Sequence, residues 1–174
     1  MGAKLASCPQ LCSMDKAEDE RFMRLALKEA EIAFDLDEVP VGAVIVNGGS
    51  VIARGHNLCE RLNDFTAHAE MQAFTSASEY LGGKFLDKCT LYVTLEPCPM
   101  CAGAAFWTRI GRVVYGAKDP KRGYERWAVA PEKSGHGGAK SPNGLLHPKT
   151  EITGGILEDE CSQIVKDFFS KKRK

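Results

Sequence analysis

The chain lacks a charge bias. Its 23 basic and 23 acidic residues cancel, which removes any global pull toward nucleic acid and leaves that to local patches. It also lacks long apolar runs: no stretch approaches the roughly 18 residues that a membrane span needs. Met1 to Lys16 is small, polar and mixed, without the apolar core of a secretory signal. A cytoplasmic protein with no membrane contact is therefore expected. Internal repeats are missing as well, and 174 residues suit one domain with a sizeable core. The cysteines do not pair off. There are seven, and without a secretory leader they read as reduced thiols, two or three of them metal-bound. Cys8 and Cys12 lie in a loose leader and read as incidental.

What is there centres on a split cluster. His68-Ala69-Glu70 is followed some way downstream by Pro97-Cys98-Pro99-Met100-Cys101. One imidazole and two thiolates suit a zinc ion whose fourth position stays open to water. Glu70 beside the histidine is a natural proton carrier for that water. Cys98 and Cys101 are three apart and share one face of a helix. In a first turn, free backbone N–H groups favour their thiolates. His68 and Glu70, two apart, diverge in a helix interior and converge on one ion only near a helix start. Both half-motifs are thus expected at helix N-termini that face each other. Taken alone, Cys-x-x-Cys is also a redox pair or half of a structural finger. A structural site needs a fourth protein ligand. The nearest candidate, Cys89, opens the apolar run Cys89-Thr90-Leu91-Tyr92-Val93 and reads as a buried strand residue.

The flanking pattern predicts a compact order of elements. Residues 1–14 read as a flexible extension, and 15–174 as a single domain. Asp15 opens a helix through about Phe34, with Met23, Ala26, Leu27, Ala30 and Phe34 at helical spacing. Val41 to Val46 and Val51 to Asn57 form a hairpin around Asn47-Gly48-Gly49-Ser50. A helix carrying His68, with Thr66 as its possible cap, runs to Leu81 and breaks at Gly82-Gly83. Leu91 to Leu95 is a strand, the Cys98–Cys101 helix runs on to Trp107, and Arg112 to Gly116 is another strand. A long loop, 118–149, is rich in glycine, proline and lysine; loops of that length are usually functional or disordered. Glu151 to Thr153 is a short last strand, and Leu157, Cys161, Ile164, Val165 and Phe168 mark a closing helix. Strands alternating with helices after a hairpin give an α/β class with a mixed sheet covered on both faces.

At this point the chain resembles the bacterial tRNA-specific adenosine deaminases of the cytidine deaminase-like superfamily. The His-x-Glu…Pro-Cys-x-x-Cys signature is itself a known mark of zinc base deaminases. The resemblance rests on Val39 to Val44, Gly55-His56-Asn57, Thr66 to Glu70, Thr90 to Cys98, Cys101 to Ala104, Ile110 to Ala117, Leu146 to Lys149 and Gly155 to Cys161. It implies a three-layer α/β/α sandwich around a five-stranded mixed sheet, and a homodimer with one Zn2+ per subunit. It implies His68, Cys98 and Cys101 as metal ligands and Glu70 as the catalytic proton shuttle. It makes Asn57 a hydrogen-bonding partner of the bound nucleoside, and Pro40 and Val41 walls of the base pocket. Asp119 and Lys121 fall where the family touches flanking nucleotides. The activity implied is hydrolytic deamination of adenosine to inosine at the wobble position of a tRNA anticodon stem-loop. Phe169 with Lys172 and Arg173 in the basic tail reads as a grip on that stem, rings for stacking and charge for phosphates. The alternative is a deaminase of free guanine, cytosine or cytidine, which shares every zinc residue. A zinc-stabilised RNA-binding module without catalysis has no need of Glu70. Arg122 to Leu145 departs from the family in length, and His136 and His147 read as surface residues rather than ligands.

Overall fold

A computed structural model describes residues 9–127 and 144–173. Residues 1–8, 128–143 and 174 lie outside it, and with them His136, Cys8 and the middle of the expected long loop.

Helix α1 spans Pro9–Asp35, starting ahead of the expected Asp15. Proline is well placed at a helix start, where its missing N–H would have no partner anyway. Strands β1 (Gly42–Asn47) and β2 (Ser50–His56) form the expected hairpin. Gly48 and Gly49 both take positive φ, 56° and 77°, as a tight turn matched to strand twist requires. A four-residue helix, α2 (Cys59–Leu62), occupies what the sequence presents as loop. Then follow α3 (Ala69–Leu81), β3 (Cys89–Leu95), α4 (Pro99–Thr108) and β4 (Arg112–Ala117). A single 3-10 turn covers Tyr124–Trp127, and β5 (Glu151–Thr153) and α5 (Glu158–Lys172) close the chain.

The five strands pair in the order β2-β1-β3-β4-β5. The first two junctions are antiparallel and the last two parallel, which makes the sheet mixed as expected. Successive side chains on a strand face opposite layers. Ala43, Ile45, Leu91, Val93 and Val113 pack under α3 and α4, while Val44, Val46, Tyr92 and Val114 pack under α1 and α5. The sandwich therefore has two cores, one on each face. Each fully buried Val, Leu or Ile in them contributes roughly 1.5–3 kcal/mol. Cys89 is a buried strand residue, as its apolar neighbours predicted.

Two features fix helices against the sheet. Gly55 has no side chain because a Cβ there would stand 2.3 Å from the Ala69 carbonyl oxygen, so only glycine lets β2 approach the start of α3. On the other face, the Arg112 guanidinium forks onto both Asp19 carboxylate oxygens at 2.7 Å, and the Tyr92 hydroxyl donates to Asp19 Oδ1 at 2.8 Å. That bidentate pair ties α1 to β3 and β4. Burial, then the bond to Asp19, pushes the Tyr92 phenol upward from its ordinary value.

Candidate active site

Both half-motifs sit at helix N-termini. His68 is the N-cap of α3 and Cys98 the N-cap of α4, each in extended backbone. Thr66, expected as the cap, instead donates its N–H and hydroxyl to Asp64 Oδ1, at 2.7 and 2.8 Å. The preceding turn takes that side chain before α3 begins. Pro99 at the start of α4 leaves no unpaired N–H of its own.

The two helix tips converge. His68 Nδ1 lies 3.6 Å from Cys98 Sγ and 3.5 Å from Cys101 Sγ. One atom from each residue fits within 4.8 Å of the others. These three donors, one nitrogen and two sulfurs, could hold a metal ion, and their chemistry fits zinc. One of the two sulfurs, Cys98, is held as a thiolate. Hydrogen bonds from Cys101 and His68 hold the Cys98 thiol down at about 4, and the bond to Cys98 raises His68. The Cys101 thiol is pushed up, chiefly by its bond to the Cys98 thiolate. Glu70, in the first turn of α3, is 3% exposed. Burial pushes its carboxyl above the usual carboxylate range, the direction a proton carrier near neutral pH needs.

These groups open into a cavity of about 630 Å³. His68, Glu70 and Cys98 line it, together with Asn57, Val41, Asp119, Lys121, Phe169 and Arg173. Pro40 is buried and does not line it. Val41 N–H bonds the Val39 carbonyl at 2.8 Å, a tight turn centred on Pro40 that presents Val39 and Val41 to the cavity in its place. Lys172 is absent from the lining; its ammonium pairs with Asp37 and lies over the Phe168 ring. Phe168 is core at 4% exposure, and Phe169 stands out at 42%. His147 packs on Phe106 with ring centres 5.6 Å apart and is not in the His68 cluster.

Sequence reasoning missed two buried carboxylates that hold the cavity wall. Glu38 is fully buried and accepts from Asn57 Nδ2 at 3.1 Å and from the N–H groups of Glu60 and Arg61 at 3.1 and 2.7 Å. Its position, one residue before Val39-Pro40-Val41, was the only signal. Glu96 accepts from the Asp119 and Glu125 N–H groups at 3.0 and 3.1 Å. A Cβ on Gly123 would fall 2.3 Å from the Glu96 carboxylate, and Tyr124 N–H reaches the Pro97 carbonyl at 2.8 Å. The segment from Lys118 to Trp127 is thus pinned beside Cys98. Asp119 Oδ1 in turn accepts from the N–H groups of Lys121 and Arg122.

Comparison with known proteins decides the family. A family model described as MafB19-like deaminase matches residues 17–173. The Bacillus subtilis tRNA-specific adenosine deaminase is 42% identical over 160 residues, 90% of this chain and 92% of that protein. The chain belongs to the tRNA-specific adenosine deaminase family. The chloroplastic tRNA(adenine(34)) deaminase of Arabidopsis thaliana is 48% identical over 158 residues, 87% of this chain but only 12% of that longer protein. A solved structure from work on A-to-I editing by tRNA:A34 deaminases is 44% identical, with a TM-score of 0.69 over 83% of this chain and 98% of that one. A guanine deaminase structure from Bacillus subtilis is also 44% identical, with a TM-score of 0.55 over 57% of this chain and 64% of that one. The sheet and its helices match the cytidine deaminase-like fold of these deaminases.

Proposed function

We propose that this protein is a zinc-dependent hydrolase that converts adenosine to inosine at the wobble position of a tRNA anticodon. One observation carries the reading: a buried carboxylate, Glu70, shares a cavity with Asn57 and with His68 and Cys98, two of the three residues that could hold a metal ion. His68 Nδ1 and the sulfurs of Cys98 and Cys101 would hold the ion. A zinc ion held there would lower the pKa of a water toward neutrality.

The chain's own residues do the rest. Glu70, raised by burial, accepts a proton from the attacking water. It delivers protons to the purine ring nitrogen and to the departing amine. Water adds its oxygen at the ring carbon, the carbon–nitrogen bond breaks, and ammonia leaves. Asn57 lines the cavity and hydrogen-bonds the nucleoside. The base must leave its stack to reach Glu70, which costs least in an unpaired loop. Lys121 and Arg173 at the cavity supply charge for phosphates.

The family's names for tRNA support this substrate, and the likeness to a guanine deaminase makes a free base the reading to test against. Ammonia release from an anticodon stem-loop, free guanine and cytidine, measured side by side, separates them. Turnover confined to guanine or cytidine removes the tRNA reading.

A homodimer acting in the cytoplasm completes the proposal. No described helix is long and apolar enough to cross a membrane. Leu62 and Trp107 expose 55% and 78% of their surfaces, apolar area that a second subunit would cover. Sedimentation at micromolar concentration tests it, and a monomeric active enzyme overturns it.

A further inference from the structure

Phe65 is 89% exposed, the most exposed of the large apolar side chains described, and it lines the cavity that holds His68 and Glu70. Its backbone is tightly held. Asp64 N–H bonds the Cys59 carbonyl at 3.0 Å, and Ala67 N–H bonds the Asp64 carbonyl at 3.0 Å. The Asp64 side chain takes both donors of Thr66. Asn63 before it is left-handed at φ 50°, and Ala67 after it is 2% exposed. The ring therefore sits at the tip of a short braced turn, three residues before a metal-ligand position, in water. Bracing an apolar ring in solvent does nothing for the core.

Around the same cavity stand the cations Lys121, Arg122 and Arg173 and the half-exposed ring of Phe169. Exposed aromatic faces interleaved with cations are what an unpaired RNA loop binds: phosphates take the charge and splayed bases take the rings. We infer that Phe65 is a stacking platform for the nucleotide beside the one that enters the cavity. This rests on the tRNA reading above and extends it to a named contact. A base deep enough to meet Glu70 leaves its chain neighbour at the rim, where it has lost its own stacking partner. A preset ring there replaces that partner at little ordering cost, because the turn is already fixed.

The test uses the full-length zinc-loaded enzyme and an anticodon stem-loop with 2-aminopurine next to the wobble adenosine. Wild-type protein should quench that fluorescence on binding. Phe65→Ala should lose the quenching and raise KM for the stem-loop about tenfold, with kcat changed less than about twofold. Phe65→Trp should keep both, and Phe65→Leu, apolar but without a π-face, should behave like the alanine variant. An active wild-type enzyme whose Phe65→Ala variant quenches and binds unchanged discards the platform alone. A KM rise accompanied by a shift from dimer to monomer in sedimentation assigns the ring to a second subunit and also overturns it. A wild-type enzyme inert on the stem-loop removes the substrate reading and this contact together.

Discussion

Glu38 holds the Asn57 amide in one orientation. The carboxylate can only accept, so Nδ2, 3.1 Å away, faces it, while Asn57 Oδ1 turns to the Cys59 thiol at 3.3 Å. Which amide atoms remain for a substrate is therefore set by a residue that does not line the cavity. Glu38→Gln places an amide N–H₂ where an acceptor was, frees Asn57 to flip, and should lower kcat/KM about tenfold. In an Asn57→Ala background the same change should cost about twofold or less, because the group it positions is gone. Independent, multiplying losses would make Glu38 a general support of the fold.

Glu70→Ala should leave metal content at one zinc per chain and remove most turnover, on the order of 10²–10⁴-fold. Elemental analysis and inosine release from the stem-loop check the two halves separately. Full-rate deamination would take Glu70 out of proton transfer.

His68→Ala and Cys98→Ser should both lose the ion. A chelator should inactivate the wild-type protein, and added Zn2+ should restore it. Activity that survives in metal-free protein contradicts the proposed centre.

Stability should fall in alkali. Burial raises the phenols of Tyr92, Tyr115 and Tyr124 and lifts the Cys161 thiol to about 12. Groups raised in the folded state hold more protons there than in the unfolded chain. Their contribution is complete below the unfolded values, near pH 8.5 for cysteine and about 10 for tyrosine, and is lost as pH climbs above them. Melting temperature should thus decline progressively from about pH 9 upward. Tyr92→Phe should flatten part of that decline; an unchanged slope would mean that Tyr92 does not titrate with unfolding.

Truncation after Phe169 removes Arg173 from the cavity rim and the other charges of the tail. Affinity for the stem-loop should weaken, and the slope of log K against log salt should become shallower by about one for each phosphate the tail no longer neutralises. An unchanged slope would assign the tail to helix α5 alone.

Much of this was legible in the sequence because it is local. The spacing of His68 and Glu70, and of Cys98 and Cys101, demanded helix starts, and Gly48-Gly49 demanded a tight hairpin. The illegible parts depend on chain distant in sequence. Glu38 acquires its partners only when α2 folds back on it, so it reads as an ordinary surface acid beside Val39. Lys172 belongs to a basic tail until Asp37, far upstream, draws its ammonium away from the rim. Thr66 has the right chemistry for a cap, but Asp64, nearer at hand, captures its hydroxyl first. Pro40 carries the family's pocket motif, yet the turn built around it gives the wall to the valines on either side.

The clamp that Glu96 places on Asp119 and Glu125 isolates the catalytic end from the chain that follows it. Upstream of Trp127 the chain is registered to the same strand end that launches Cys98, so the rim and the metal site keep a fixed alignment. Where the chain returns, the Thr150 hydroxyl fastens to the Ile110 carbonyl at 2.7 Å. Between these two moorings, lengthening the segment adds closure entropy only logarithmically and exerts no pull on the catalytic end. A change of length there is therefore expected to leave the alignment of rim and metal site intact.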